Sequence, residues 1–156
     1  MNEEIKTLVT IINHRAQVAA RLRELAQQLE KRANLHDLSK FKLDELDGYV
    51  KLNVSRRFPG ESPIPYDSPE YKAILESNKS PLELHFARNR HHPEFHTNGV
   101  SDMALIDFIE MVVDWLAATE AYGTPFRQGL EKQTGLYNLQ PDHLYLIDLI
   151  ARHFGE

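Results

Sequence analysis

The residues of this chain best suited to chemistry are histidines and aspartates placed around the pentapeptide His36-Asp37-Leu38-Ser39-Lys40. The adjacent His36 and Asp37 can offer a metal ion a neutral nitrogen and a charged oxygen from a single turn of backbone. The other candidate ligands lie before and after this pair: His14, His85, His91, His92 and Asp114. Imidazole and carboxylate ligands together suit Mn, Fe, Co, Ni or Zn better than Ca or Mg, so the set indicates a transition-metal site.

The number of candidate ligands also bears on the number of ions. Six or seven of them exceed the usual needs of one ion, whereas two adjacent ions bridged by a carboxylate would use them all. Such a pair activates a water molecule and clamps a transferring phosphoryl group. Lys40 lies one helical turn after Asp37, where its ammonium could neutralise phosphate charge. We therefore expect two divalent ions beside a phosphate-contacting lysine, with Asp37 and Lys40 as the catalytic residues.

Asp114 is the candidate ligand with the strongest local argument. It lies between Val113 and Trp115 in the most hydrophobic stretch of the chain, where a buried carboxylate is costly unless it is paired or bound to a cation. On a helix, Asp107 and Glu110 share its side. For these two acids a solvated acidic face is an equally good interpretation, but for Asp114 we favour the site.

The elements that must position these residues all show the helical period. The sequence predicts an all-α chain that forms a compact bundle of about six or seven helices. The first helix should run from Glu3 to about Arg32, with His14 on its buried stripe. Asn34 is a plausible cap for a second helix over 35–52, which would place the His-Asp pair within its first turns. Three further residues of that helix are core candidates: Phe41, Leu46 and Tyr49.

The remainder of the chain divides into one long loop and five further helices. Three prolines and a glycine in seven residues predict an irregular loop at about 53–67, of the kind that serves as a lid or binding segment. Short helices should follow over 68–77 and 80–89, each begun by a capping serine and a proline. The strongest helix should span 101–122, followed by helices over 126–133 and 141–154. No strand pattern of useful length is visible.

Length and composition set the outer limits. The 156 residues fit one domain with one hydrophobic core. The formal net charge of -5 gives no global basic field, so we expect no binding to duplex nucleic acid and none to membranes. The chain has no cysteine, which excludes thiolate clusters and fits a reducing, cytoplasmic compartment. The acidic start of the chain does not read as a signal peptide.

Taken together, the motifs resemble the HD-domain superfamily of metal-dependent phosphohydrolases, whose ligand order is H…HD…D. The pentapeptide at 36–40 is similar to the HD-x-x-K form of the HD-GYP phosphodiesterase branch, and His91-His92-Pro93-Glu94 resembles the His-His-Glu segment of that branch. The chain also looks like a little-characterised phage and bacterial family with the motifs HDxSKF, NxHHPE and EMxxDW. Together the motifs span residues 14 to 119.

The resemblance implies roles for individual residues. His14, His36, Asp37 and Asp114 would bind the first metal ion. Asp37 would also bridge to a second ion, which some of the histidines at 85, 91 and 92 would hold, and Lys40 would contact phosphate. The Gly-Tyr-Pro that follows the His-His segment in the HD-GYP branch is missing, since Phe95-His96-Thr97-Asn98-Gly99 stands there instead. Specificity for cyclic di-GMP is therefore not implied.

The expected activity is the hydrolysis of a nucleotide or other phosphoester through a metal-activated water. Four arginines could bind the phosphate oxygens of this small-molecule substrate, although surface arginines are common: Arg56, Arg57, Arg88 and Arg90. Glu94 and His96 could orient the metal-binding imidazoles or hydrogen-bond within their own loop. His143 and His153 lie away from every motif, and we expect them to be structural.

Two other functions fit the same residues. One is an oxygenase, because some HD-type proteins use a di-iron centre held by histidine and aspartate, and Lys40 and the arginines suit a phosphonate as well as a phosphate. The other is a protein that keeps the metal site but binds a nucleotide or a partner without turnover. A homodimer is also possible, since the last helix has an apolar stretch over 144–150.

Overall fold

The chain is all-α, as its sequence predicts. The computed structural model describes residues 2–56, 68–123 and 125–156, and in these ranges it shows helices and turns but no strand. The chain divides into two units, residues 1–36 and 37–156; the expectation of a single domain stays a prediction. The α-helices of the described ranges are α1 (Glu3–Leu35), α2 (Leu43–Arg56), α3 (Pro69–Ser77), α4 (Lys79–Arg88), α5 (Leu105–Tyr122), α6 (Phe126–Tyr137) and α7 (Pro141–His153).

The first unit consists of α1. The side chain of Asn2 caps it by accepting a hydrogen bond from the backbone N–H of Glu4 at 3.1 Å, and Glu3 and Glu4 favour the positive end of the helix dipole. The helix continues to Leu35, so the predicted break at Asn34 is wrong. His14 is exposed, as are most of the residues on its stripe. The burial expected for this stripe is not seen in the first unit.

The second unit begins with a backbone feature that corrects the prediction of a helix over 35–52. Asp37 has a φ of 57°, in the left-handed region that aspartate tolerates better than most residues. A right-handed helix cannot continue through this conformation. A 3₁₀ turn over Leu38–Phe41 follows, and α2 begins only at Leu43. The predicted loop also starts too early, since α2 extends to Arg56; residues 57–67 lie outside the described ranges.

Residues 37–56 and 68–95, which we call the polar half, pack α2 and α3 with α4. Gly48 of α2 makes the close approach possible, because a Cβ there would lie 2.4 Å from Cβ of Pro81 on α4. Phe41 and Leu46 are exposed, so their prediction as core residues is wrong; Tyr49 is half-buried. The buried positions of this half are largely polar: Ser39, Glu45, Asn78, His85 and His91.

The two short helices of this half differ in how they begin. Ser68 caps α3 as predicted, with its hydroxyl accepting from the backbone N–H of Tyr71 at 3.1 Å. The predicted serine cap at Ser80 is wrong, because α4 already begins at Lys79 and Asn78 is the residue that precedes it. The helix therefore starts one residue early and leaves Pro81 in its first turn, where proline is tolerated.

Residues 99–123 and 125–156, which we call the apolar half, contain the hydrophobic core. α5 starts at Leu105 rather than at Ser101, after a 3₁₀ turn over Gly99–Asp102, and ends at Tyr122, before Gly123 with a φ of 63°. α6 runs four residues beyond its predicted end and stops at Tyr137, before Asn138, which also has a positive φ. The buried core comprises Val100, Phe108, Met111, Val112, Leu116, Phe126, Leu139, Ile147 and Ala151. None of the described helices is long and apolar enough to cross a membrane.

Candidate metal centre

Four side chains of the second unit converge on one point: Asp37, His85, His91 and His92 each place a ligand atom within 4.8 Å of the others. Asp37 comes from the left-handed residue before the 3₁₀ turn, and His85 comes from the last turn of α4. His91 and His92 lie in the segment that follows α4. Oδ1 of Asp37 lies 3.2 Å from Nε2 of His85 and 3.4 Å from Nε2 of His91. This cluster could hold a metal ion.

The chemistry of the converging atoms suits a cation. Nε2 of His92 lies 2.9 Å from Nε2 of His85, and only one hydrogen can lie between two nitrogens. In a neutral cluster the other lone pairs point at one another. Little water reaches them, since the side chain of Asp37 is 17% exposed and that of His85 only 1%. A divalent ion would turn this repulsion into coordination. Three imidazoles and one carboxylate are ligands typical of a transition metal.

His85 is held from behind by a buried polar network. Its Nδ1 lies 3.1 Å from Oε2 of Glu45, 3.1 Å from Oγ of Ser39 and 3.0 Å from Nδ2 of Asn89. The ring of Tyr49 packs edge-on against it, with the ring centroids 5.5 Å apart. His85 therefore faces inward and belongs to the cluster.

His91 is held from the side of α5. Its Nδ1 lies 3.3 Å from Oε1 of Glu110, and one of its ring nitrogens is within 4.8 Å of a carboxylate oxygen of Asp114. Asp107 is fully buried and pairs with Arg90, with Oδ2 3.0 Å from Nη2. A solvated acidic face is therefore the wrong interpretation for Asp107 and Glu110, because buried carboxylates of this kind are stabilised by cationic or hydrogen-bonding partners.

The pKa of His92 lies well below that of an ordinary histidine. Burial, followed by the neighbouring charges of His91 and His85, lowers the pKa of His92 from 6.5 to about 3, although Asp114 and Asp37 act in the opposite direction. Its ring is therefore neutral near pH 7. A neutral imidazole keeps the lone pair that a metal ion needs.

Lys40 lies beside the cluster, as its spacing predicts. Its ammonium forms an ion pair with Oδ2 of Asp37, the carboxylate oxygen that faces away from the two histidines. The same ammonium lies 4.8 Å from the centroid of the Tyr49 ring, within the range of a cation–π contact. The side chain is 35% exposed, so it can also be reached from solvent.

The arginines predicted to bind substrate are committed to carboxylates where the structure describes their side chains. Arg88 contacts Oδ2 of Asp44 at 2.6 Å and Oε1 of Glu45 at 2.7 Å. These hydrogen bonds raise the pKa of Arg88. The hydrogen bond that Asp44 accepts from Arg88 is also the main reason that the pKa of Asp44 is lowered. Arg90 is held by Asp107. The side chain of Arg56 and the whole of Arg57 lie outside the described residues.

Four other polar residues singled out from the sequence have structural partners. Glu94 accepts a hydrogen bond from the hydroxyl of Tyr137 at 2.9 Å, and Nε2 of His96 lies 2.8 Å from the backbone oxygen of Arg90. Their contacts are those of loop residues. His143 accepts from the backbone N–H of Gln140 at the start of α7, and His153 packs against Phe154. That both histidines are structural stays a prediction.

The two remaining predicted ligands, His14 and His36, belong to the first unit. His14 lies in α1 and shares an open face of that helix with Gln17, Arg21 and Leu22. His36 follows the last residue of α1, and its backbone N–H donates to the oxygen of Arg32 at 2.8 Å. Their role as metal ligands stays a prediction.

Three residues behind the cluster were missed from the sequence: Ser39, Glu45 and Asn89. Glu45 had no signal, because a glutamate in an amphipathic helix is usually solvated. Ser39 and Asn89 belong to the quoted motifs HDxSKF and NxHHPE, and each lies two residues from a predicted ligand. Their side chains could have been proposed as supports for that reason.

One family model matches nearly the whole chain. A model described as a family of unknown function (DUF5662) matches residues 3–151. The chain belongs to this family. The DUF5662 match includes α1, the converging ligands of the second unit and most of α7. No curated protein and no solved structure matches the chain.

Proposed function

We propose that this protein is a metal-dependent phosphohydrolase that acts on a nucleotide or another small phosphoester. The observation that carries the proposal is the convergence of three imidazoles and the Asp37 carboxylate beside an accessible lysine. The HD-type motif order of the sequence is consistent with it. A cytoplasmic setting, two ions rather than one, and their choice among Mn, Fe, Co, Ni and Zn belong to the same proposal.

The residues that would hold the ion are Asp37, His85, His91 and His92, with Asp114 next to His91. A bound divalent ion would lower the pKa of a coordinated water and polarise a phosphoryl oxygen. The chain contributes ring orientation, because the Nδ1 atoms of His85 and His91 face carboxylates while their Nε2 atoms face Asp37. It also contributes burial, which keeps bulk water from the ligand atoms and strengthens their electrostatic effect.

Lys40 would hold the phosphate. Its ammonium touches Asp37 and is partly exposed, so a phosphate oxygen can reach it from solvent while the lysine stays beside the cluster. Positive charge fixed at this point favours the negative charge that develops on phosphoryl oxygens during transfer. Because Arg88 and Arg90 are engaged by carboxylates, we assign the phosphate contact to Lys40 rather than to these arginines.

The decisive experiment combines metal analysis with a substrate screen. The purified full-length chain is analysed for bound metals and then incubated with nucleoside mono-, di- and triphosphates and with bis(p-nitrophenyl) phosphate in the presence of Mn²⁺, Co²⁺, Fe²⁺ or Zn²⁺. We expect bound transition metal and release of phosphate or of the alcohol from at least one substrate. Oxygen consumption by the iron-loaded protein without hydrolysis would overturn the proposal in favour of an oxygenase.

The matched variants are Asp37→Asn and Asp47→Asn. Asparagine tolerates the left-handed backbone of residue 37 and has the same shape as aspartate, so Asp37→Asn removes the charge without straining the chain. Asp47 is an exposed residue of α2 whose substitution changes the net charge equally. We expect Asp37→Asn to lose metal and hydrolysis with unchanged helical content, and Asp47→Asn to keep both. An active, metal-free Asp37→Asn protein would disprove the proposed function.

A further inference from the structure

Glu45 is a fully buried carboxylate that lies outside the four converging ligands. Ser39, Arg88 and His85 all contact it. Burial raises the pKa of Glu45, but the hydrogen bonds from these three residues outweigh that effect and leave the pKa below its usual value. A buried glutamate that stays charged acts as a fixed acceptor for its neighbours.

The hydrogens around His85 can be counted. The amide of Asn89 has two, and its shortest contacts use both: it donates to Oγ of Ser39 at 2.7 Å and to the backbone oxygen of His85 at 2.7 Å. The hydroxyl of Ser39 has one hydrogen, which it donates to Oε2 of Glu45 at 2.7 Å. No hydrogen of these two side chains is left for Nδ1 of His85.

Nδ1 of His85 must therefore supply its own hydrogen. It lies 3.1 Å from Oε2 of Glu45, an atom that can only accept. Nε2 of the same ring then carries the lone pair in the neutral form, and it faces Oδ1 of Asp37 at 3.2 Å. The lone pair available at the cluster is therefore that of Nε2 of His85.

We propose that Glu45 is a positioning residue that holds His85 in the Nδ1–H tautomer and so presents its Nε2 lone pair to the cluster. The link to metal binding rests on the proposed function. The tautomer itself is a property of the chain and can be measured without metal.

Arg88 determines which way the side-chain amide would turn if Glu45 were replaced by glutamine. Its Nη1 donates to Oε1 of Glu45 at 2.7 Å, so that side of residue 45 must present an acceptor. In Glu45→Gln the amide oxygen would take this place, and the NH₂ group would turn toward Ser39 and His85. An NH₂ donor facing Nδ1 drives the ring hydrogen to Nε2, where it points at Asp37 and blocks coordination.

The test reads the tautomer directly. Long-range ¹H–¹⁵N NMR spectra of the metal-free, histidine-labelled full chain are recorded in a pH series that reaches the neutral form of the His85 ring, and the His85 signals are assigned by their loss in His85→Gln. We expect the Nδ1–H tautomer in the wild type and the Nε2–H tautomer in Glu45→Gln. Glu83→Gln, at an exposed glutamate of α4, is the matched control and should leave His85 unchanged.

Metal binding gives the second readout. Titration with Co²⁺, followed by its visible absorption, should show affinity reduced about 10- to 100-fold in Glu45→Gln, the range known for residues that orient a metal-binding histidine. Glu45→Asp keeps a carboxylate and should retain the Nδ1–H tautomer. If circular dichroism shows that Glu45→Gln does not fold, the tautomer measured in the wild type decides the inference.

The outcomes separate this inference from the proposed function. An Nε2–H tautomer in the wild type, or an unchanged His85 in a folded Glu45→Gln protein, overturns the positioning role even if the wild type binds metal. If both proteins show the expected tautomers but the wild type binds no Co²⁺, the positioning role of Glu45 stands. That result would count against the metal site instead.

Discussion

The polar and apolar halves of the second unit are both buried in part, but by different residues. Val112 and Ile147 are completely buried in the apolar half, where they pack with other aliphatic and aromatic side chains. Glu45 and His85 are just as buried in the polar half, where hydrogen bonds and ion pairs surround them. Apolar burial stabilises a fold with little demand on direction, whereas buried polar groups require defined partners.

The difference separates stability from chemistry. Removing apolar surface from water is the main source of folding free energy, so the apolar half should carry most of the stability of the second unit. A desolvated carboxylate is costly, and the polar half contains several. Ligand atoms that repel one another without a cation add to this cost. We therefore expect metal binding to stabilise the polar half, and the following variants test that division.

His91→Ala should have the largest effect, because it removes a ligand from the centre of the cluster. Metal at a hundred times its Kd stabilises a folded protein by about 2.7 kcal/mol, which raises Tm. We expect this metal-induced rise in Tm to vanish in His91→Ala and to persist in His153→Ala, an exposed histidine of α7. Differential scanning calorimetry with and without metal measures it. An undiminished rise in the Tm of His91→Ala would contradict the stabilisation of the polar half by metal binding at this cluster.

Ile147→Ala should act on the other half. This side chain is fully buried in the core, so its truncation should lower the free energy of unfolding by about 2–5 kcal/mol. The metal-induced rise in Tm should stay the same, because no ligand has moved. Leu149→Ala, at a more exposed position of α7, should cost much less in urea unfolding. Equal losses in the two variants would show that the apolar core is not where stability resides.

Lys40→Met should change turnover without removing the metal. Loss of the ammonium should reduce kcat/KM for the best phosphoester about 100-fold, comparable to the loss of one charge-stabilising donor in other active sites. Metal affinity should be equal or higher, because a positive charge beside Asp37 has gone. Hydrolysis assays and Co²⁺ titration measure the two effects. Unchanged kcat/KM would exclude Lys40 from phosphate handling.

Arg127→Ala should have the smallest effect. Its guanidinium lies 3.5 Å from Asp148, and the Arg127 side chain is 74% exposed. Solvent screening makes such pairs worth little, so stability should change by less than about 0.5 kcal/mol. Chemical unfolding at low and high salt measures this. A change above 1 kcal/mol would mean that exposed pairs, rather than the core, stabilise the apolar half.

The sequence was most informative where periodicity and ligand chemistry agree. The helical period predicted an all-α chain, and the strong apolar pattern of α5 predicted the element that carries Asp114. The clustering of Asp37 with the histidines at 85, 91 and 92 agrees with the grouping that the resemblance to HD-type proteins implies. The helices depend on local pattern, which a single sequence contains.

Other features depend on tertiary contacts or on single backbone angles. The left-handed conformation of Asp37 interrupts a segment that reads as helix, and no periodic signal marks it. The burial of Glu45 and the pairing of Arg88 and Arg90 with carboxylates arise from contacts between distant segments. A sequence shows that such residues are charged, but it does not show which of them will meet.

Gly48 gives the close packing of α2 on α4 a further meaning. It lies three residues after Glu45 on α2, and the space beside it is filled by Pro81, four residues before His85 on α4. A side chain at position 48 would force the two helices apart and lengthen the contact between Glu45 and His85. Substitution of Gly48 should therefore weaken the proposed metal site from a position that bears no ligand, no charge and no hydrogen-bonding side chain.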